Sequence, residues 1–275
     1  MKTRILSGLI MLPFLFILYF GKNVLSIACL IITLCAVYEF FNAFKKIEVR
    51  GSLPVVATST TILYVGLILL NNWIGDNPMN LFLIATLTIF WLFISIIMSL
   101  LYLFKINDRK LEDAMVTITA LVYIVFFIFH FALTDSLAVI INIPIVWLIV
   151  IASFATDIFA YFVGMTLGKH RLCPNISPKK SIEGSIGGIV GSVVCCGLFG
   201  IFFMKTMLIH CLVIGILGGV VSQLGDLTAS IFKRKIGIKD YGNLIPGHGG
   251  ILDRFDSVIF VSPVVFYYMF IITMF

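Results

Sequence analysis

The sequence predicts an all-α protein: a polytopic transmembrane helix bundle of about nine spans, N-terminus cytoplasmic and C-terminus outside. Three observations carry this. Of 275 residues, 61% are apolar and only 12% are Asp, Glu, Lys or Arg, against roughly half and a quarter in an ordinary soluble domain. The apolar residues form long continuous runs, which suits helices and not the alternating strands of a barrel. The basic residues fall almost wholly on one side of those runs.

A membrane helix needs about 20 apolar residues, and charge-free stretches mark the candidates. They are 5–21, 51–75, 77–104, 114–134, 136–156, 184–204, 206–225 and 257–275, with 24–44 interrupted only by Glu39. The first run follows Lys2 and Arg4 as a signal peptide would. It is long for one, however, and no small-x-small cleavage site follows at Gly21-Lys22-Asn23, so it reads as an uncleaved helix.

Charge then tests the count. With the N-terminus inside, the cytoplasmic segments hold Lys2 and Arg4, then Lys45, Lys46 and Arg50, then Lys105, Arg109 and Lys110. The next two hold Lys169, Arg171, Lys179 and Lys180, and finally Lys233, Arg234, Lys235, Lys239 and Arg254. Of the 19 basic residues only Lys22 and Lys205 fall outside, as the positive-inside bias requires. The net charge of +6 therefore marks topology and an anionic substrate, not nucleic acid. The six cysteines show no paired metal spacing and read as packing thiols.

Residues 1–150 read as a transmembrane scaffold, and 151–275 as a catalytic region with cytoplasmic substrate loops, within one integral membrane unit. No inverted repeat of the transporter kind is visible. Ionisable groups inside membrane helices are costly and point to function; Glu39, Asp157 and Asp226 are the three such positions. No partner for Glu39 can be named.

Ser222, Asp226 and Ser230 recur every four residues, with Lys233 and Arg234 beyond, which predicts one polar helix face. A helix-end Asp226 paired with Lys233 is the plainer alternative. Gly218, Gly219 and Gly225 thin this helix for a close neighbour. Lys239 and Asp240 follow, then Pro246-Gly247-His248-Gly249-Gly250, a turn feeding the last helix. Backbone N–H groups at such a helix start suit a phosphate. Asp253 and Asp256, flanking Arg254, suggest Mg²⁺, which takes one or two carboxylates plus substrate oxygens; they also suit the helix dipole alone. A third cluster holds Asp157, Tyr161, Gly164 and Gly168 at helical spacing, then Ser177-Pro178-Lys179-Lys180 and Glu183-Gly184. The lysines could serve topology or anionic headgroups, but the Ser-Pro and Glu-Gly around them predict a shaped loop.

At this point the chain resembles a known family. Ser230-x-x-Lys233-Arg234-x4-Lys239-Asp240-x5-Pro246-Gly-His-Gly-Gly250-x-x-Asp253-Arg254-x-Asp256 is similar to the C-terminal signature of phosphatidate cytidylyltransferases (CDP-diacylglycerol synthases). Asp157-x-x-Ala160-Tyr161-x-x-Gly164 and Ser177-Pro178-Lys179-Lys180-x-x-Glu183-Gly184 resemble its upstream motifs. Ser181 and Ile182 stand where the family often has Thr and then an aromatic or aliphatic residue. The resemblance runs from Asp157 to Asp256; the N-terminal half matches only in its hydrophobic layout.

The resemblance implies transfer of the cytidylyl group of CTP to phosphatidate, giving CDP-diacylglycerol and pyrophosphate. It implies Mg²⁺ on Asp226 and Asp253, a second, monovalent cation such as K⁺, and a homodimer. On this reading Asp226, Asp253, Lys233, Arg234, Lys239 and Asp240 are catalytic. Asp157, Tyr161, Ser177, Lys179, Lys180, Glu183, Ser222, Ser230, His248, Gly249, Gly250, Arg254 and Asp256 bind substrate. The partners are then CTP, phosphatidate and the lipid bilayer, with no nucleic acid. The setting is a bacterial inner membrane with the site on the cytoplasmic side. The enzyme alternative is a CTP-dependent polyprenol or lipid kinase. From another class comes an ion-coupled transporter using Asp157 and Asp226, which would leave the basic glycine-rich loop without a role.

Overall fold

Long apolar runs without helix breakers become long helices. The computed structural model describes residues 16–74, 78–104, 109–242 and 249–274. Its helices are α1 (Lys22–Phe44), α2 (Leu53–Ile74), α3 (Pro78–Leu101) and α4 (Leu111–Ile141), then α5 (Val146–Leu167), α6 (Ile182–Phe203), α7 (Leu208–Ile236) and α8 (Leu252–Met274). Among the described residues, all eight are long and apolar enough to cross a membrane. The expected first span, 5–21, lies outside the described residues except for a helical stretch at 16–20. The protein is thus an all-α polytopic bundle, with one small hairpin outside the helices among the described residues.

Two compact units form: Met1–Ile140 with Ile236–Arg254, and Ile141–Lys235 with Phe255–Phe275. In the first, α1 packs on α2 and α2 on α3. Phe40, Tyr64, Leu67, Leu121, Ile124 and Phe129 are fully enclosed. The Tyr64 and Phe129 rings meet edge to face at 5.2 Å, and the Tyr64 hydroxyl lies 3.1 Å from that of Thr33. Phe90 and Phe93 of α3 face outward, as lipid-exposed residues do.

One expected boundary is wrong. The charge-free runs place a break at Asp135, yet α4 continues to Ile141, through a π-helical segment Ala120–Phe126. Asp135 is 8% exposed, and its Oδ2 accepts the backbone N–H of Lys22 at the start of α1. A carboxylate with a backbone donor can stay inside a helix, so charge alone does not mark a loop. The turn falls at 142–145, where Asn142 takes a left-handed φ of 53° and Pro144 follows. Likewise α5 runs on through Asp157 and α7 through Asp226, whose carboxylates meet side-chain partners, the Ser257 hydroxyl and Lys180.

In the second unit, α5 and α6 pack closely along their length. The cause is a glycine ladder on α6: a Cβ at Gly184 would sit 2.8 Å from the Ala160 carbonyl, and one at Gly188 2.9 Å from that of Thr156. Backbones approach this closely only where side chains are absent. Gly219 of α7 lies likewise against Ile189, and Gly225 against the Asp256 carbonyl. Between α5 and α6 the expected shaped loop is an antiparallel hairpin, β1 (Arg171–Cys173) with β2 (Ser177–Ser181), in which Arg171 pairs with Ser181. Ser181 ends β2 and caps α6, its Oγ accepting the Gly184 N–H at 3.1 Å.

Candidate active site

The second unit contains a cavity of about 480 Å³ walled by α5, the hairpin, the start of α6 and α7. Asp157, Tyr161, Lys179, Lys180, Gln223 and Asp226 carry its polar chemistry. Lys180 Nζ lies 2.5 Å from Asp226 Oδ2, with the two side chains 25% and 31% exposed. β2 projects the lysine and α7 the carboxylate, so the pair bridges two elements distant in sequence. It is also open enough to exchange partners. Asp226 pairs here with Lys180, the expected alternative having been Lys233.

Asp157 accepts the Ser257 hydroxyl, 3.1 Å from Oδ2, and Asp256 Oδ1 accepts the Ser257 N–H at 2.8 Å. Asp157, Asp226 and Asp256 lie within electrostatic reach of one another, opposed by Lys180 and Lys233. Ser230 Oγ is 3.5 Å from Asp226 Oδ1. Arg234 donates through Nε to the Ile176 carbonyl at 3.3 Å, tying α7 to the hairpin.

One expected binding residue sits differently. Ser222 is fully buried, and Gln223 takes the cavity wall with Asp226. A three-residue step falls about 60° short of a full turn and a four-residue step about 40° past it, so Gln223 and Ser222 flank Asp226 on opposite sides. The cavity lies on the Gln223 side, while Ser230 stays on Asp226's face. Gln223 donates to the Gly219 and Ser185 carbonyls at 3.0 and 3.1 Å and accepts the Ser185 hydroxyl at 2.5 Å. Glu183 works as a clamp: its carboxylate accepts the N–H groups of Lys169 and His170, at 3.1 and 3.2 Å, and meets His170 Nδ1 at 2.6 Å.

Among the expected residues, Lys239, Asp240, Gly249, Gly250, Asp253 and Arg254 belong to the first unit. Asp253 Oδ2 accepts the N–H groups of Tyr241 and Gly250 at 2.8 and 3.0 Å. Gly249, with φ of 87°, is flanked by Asp240 and Asp253, a Cβ there lying 3.4 Å from Asp240 Cβ and 3.1 Å from Asp253 Oδ2. Glu39 Oε1 and Oε2 accept the N–H groups of Ile251 and Leu252, each at 3.0 Å. This corrects the expected phosphate cradle: the amides of Gly250, Ile251 and Leu252 are already claimed by the chain's own carboxylates. Local pattern shows the donors but not an acceptor two hundred residues away. His248 lies outside the described residues, as do Pro246 and Gly247.

Sequence reasoning missed Gln223, Ser185 and Ser257; Arg171, read only as part of the basic loop, is a cavity residue on β1. Gln223, three residues before Asp226 and polar within a span, was the available signal.

The donor set suits a hard divalent ion. Asp226 already accommodates the ammonium of Lys180, and its neighbours are oxygen donors. Among the described residues no group of three or more His, Cys, Asp or Glu side chains forms a ready metal cage. Mg²⁺ does not need one, since it uses one or two carboxylates and completes its shell with water and substrate phosphates.

A profile of the Cytidylyltransferase family matches residues 2–272. The chain belongs to the cytidylyltransferase family. It is 37% identical over 271 residues to the phosphatidate cytidylyltransferase of Staphylococcus haemolyticus, covering 96% of both chains. To that of Bacillus subtilis it is 32% identical over 270 residues, 97% of both. A Synechocystis protein of the same name is 47% identical over 134 residues, 46% of this chain and 45% of its own. The matches with the first two reach well beyond the motifs, into the scaffold half of the chain.

Proposed function

We propose that the chain transfers the cytidylyl group of CTP to phosphatidate, releasing pyrophosphate and forming CDP-diacylglycerol. The observation that carries this is the cavity holding Lys180 against Asp226, with Arg171 and Lys179 beside them and Ala160, Met165 and Leu172 completing an apolar wall. Basic groups suit two polyanions, and the apolar wall suits a lipid whose acyl tails stay in hydrocarbon.

A phosphatidate phosphate oxygen forms the new bond to the α-phosphorus of CTP as the bond to the bridging oxygen of the β-phosphate breaks. The nucleophile is already an oxyanion, so no general base is required. The barrier lies in bringing like charges together and accommodating the leaving pyrophosphate. Lys180 exchanges Asp226 for a substrate phosphate, while Lys179 and Arg171 add positive charge at the cavity wall. Asp157, held by Ser257, and Gln223, held by Ser185, line the same cavity. Mg²⁺, with Asp226 and Asp253 as its protein ligands, supplies further charge neutralisation when bound. A monovalent cation such as K⁺ and a homodimeric state complete the proposal.

We further infer nine spans with the N-terminus inside and the C-terminus outside, from the one-sided basic residues. The site then faces the cytoplasm, in a bacterial inner membrane, with 1–150 as scaffold and 151–275 as the working region. The test is incubation of the purified chain with phosphatidate micelles and CTP labelled at the α or the γ phosphorus. Only α label enters lipid in cytidylyl transfer; γ label in lipid would make the protein a CTP-dependent kinase instead.

A further inference from the structure

Glu39 is the only acidic residue of α1 and is 4% exposed. A desolvated carboxylate is costly unless its oxygens are satisfied. Here both are, each by one backbone amide at the start of α8. The surroundings are shaped to this carboxyl group. A Cβ at Gly242 would lie 2.5 Å from Glu39 Oε1, and one at Gly250 would collide with Oε2. The next residue of α1, Phe40, sets its ring 6.0 Å from that of Tyr241. Helix α1 therefore grips the chain at two places, Tyr241–Gly242 and Gly250–Leu252. Asp253 Oδ2 accepts amides from the same two places, those of Tyr241 and Gly250. Three successive amides, 250 to 252, are thus divided between Asp253 and Glu39.

We propose that Glu39 is a positioning residue: by holding the amides of Ile251 and Leu252 it sets the orientation in which Asp253 presents its carboxylate to a divalent ion. This deepens the cytidylyltransferase reading and rests on it. Glu39 touches neither substrate nor ion; it acts through the helix start. The peptide planes at 250–252 cannot turn without breaking either its two hydrogen bonds or those of Asp253. The scaffold half of the chain thereby contributes a residue to the chemistry.

The experiment uses the full chain in detergent with two variants. Glu39→Gln keeps the size but turns one acceptor into an NH₂ group facing an amide donor. Gly242→Ala keeps the Glu39 charge and displaces its carboxyl group. Two readouts are taken against Mg²⁺ concentration: the rise in melting temperature without substrate, and the initial rate with α-labelled CTP. The expected result is a Mg²⁺ midpoint raised about 10- to 100-fold in both variants, the usual effect of losing a group that orients a ligand, with the KM for phosphatidate unchanged. If Glu39→Gln does not fold, Gly242→Ala decides. Midpoints equal to wild type, including the case where the rate falls at an unchanged midpoint, would overturn the proposal and leave Glu39 a purely structural residue. A wild-type chain that shows the Mg²⁺-dependent melting shift but puts no α label into lipid would refute the cytidylyl reading alone, because the midpoint comparison still decides the role of Glu39.

Discussion

Glu39 of the first unit and Asp226 of the second use their carboxylates in opposite ways. In the first, Glu39, Asp113 and Asp135 receive backbone amides: Asp113 takes those of Arg50 and Lys110 at 2.6 and 3.0 Å, and Asp135 that of Lys22. In the second, Glu183 and Asp256 also take backbone amides, but Asp226 faces a lysine and Asp157 a serine hydroxyl, and these two act on one another electrostatically. Amide partners are fixed by the fold, so such carboxylates hold turns together. A lysine or a hydroxyl can rotate away, so the second set can change partners during a reaction. Asp253 joins the two patterns: two amides fix one of its oxygens, yet it belongs to the motif we propose for the metal.

Asp253 is therefore where the contrast is tested hardest. Asp253→Asn is expected to lower cytidylyl transfer by about 10³-fold, on the scale of losing a preorganised electrostatic group, measured as labelled lipid per folded protein. A variant of wild-type rate would return Asp253 to the purely structural set. Lys180→Ala comes next. Loss of one mobile cation should cost about 10²-fold in kcat/KM for CTP, and rates at several ionic strengths will show whether charge is the cause. A variant as fast as wild type would make the Lys180–Asp226 pair incidental.

The structural carboxylates predict a different signature. Asp113→Ala removes two part-buried backbone hydrogen bonds at the start of α4 and should lower stability by about 1–2 kcal/mol, read by thermal unfolding, with turnover per folded molecule unchanged. A selective loss of turnover instead would blur the contrast. The smallest effect is expected for Ser257→Ala, which removes a single hydrogen bond to Asp157, worth about 1 kcal/mol. It should appear as a severalfold change in KM, not in melting temperature.

Much of this was legible in the sequence. Continuous apolar runs located the helices because a helix satisfies its own backbone polar groups in lipid, and the motifs from Asp157 to Asp256 mark the segments proposed to react. What escaped was non-local. Asp135 looked like a loop because its amide partner, Lys22, is remote in the chain. Glu39 had no nameable partner for the same reason, and its presence at the start of α8 turned an apparent anion cradle into a filled one. The exchange of Ser222 for Gln223 depends on which flank of Asp226 the cavity takes, and neighbouring elements decide that, not the spacing along the helix.

Asp226 is the residue on which the second unit's chemistry turns. Wild type and Asp226→Asn, purified alike, can be compared for phosphatidate-dependent transfer of α label from CTP into lipid. The account predicts label in the wild-type lipid fraction and its loss in the variant at unchanged melting temperature. Undiminished labelling by the folded variant would contradict it.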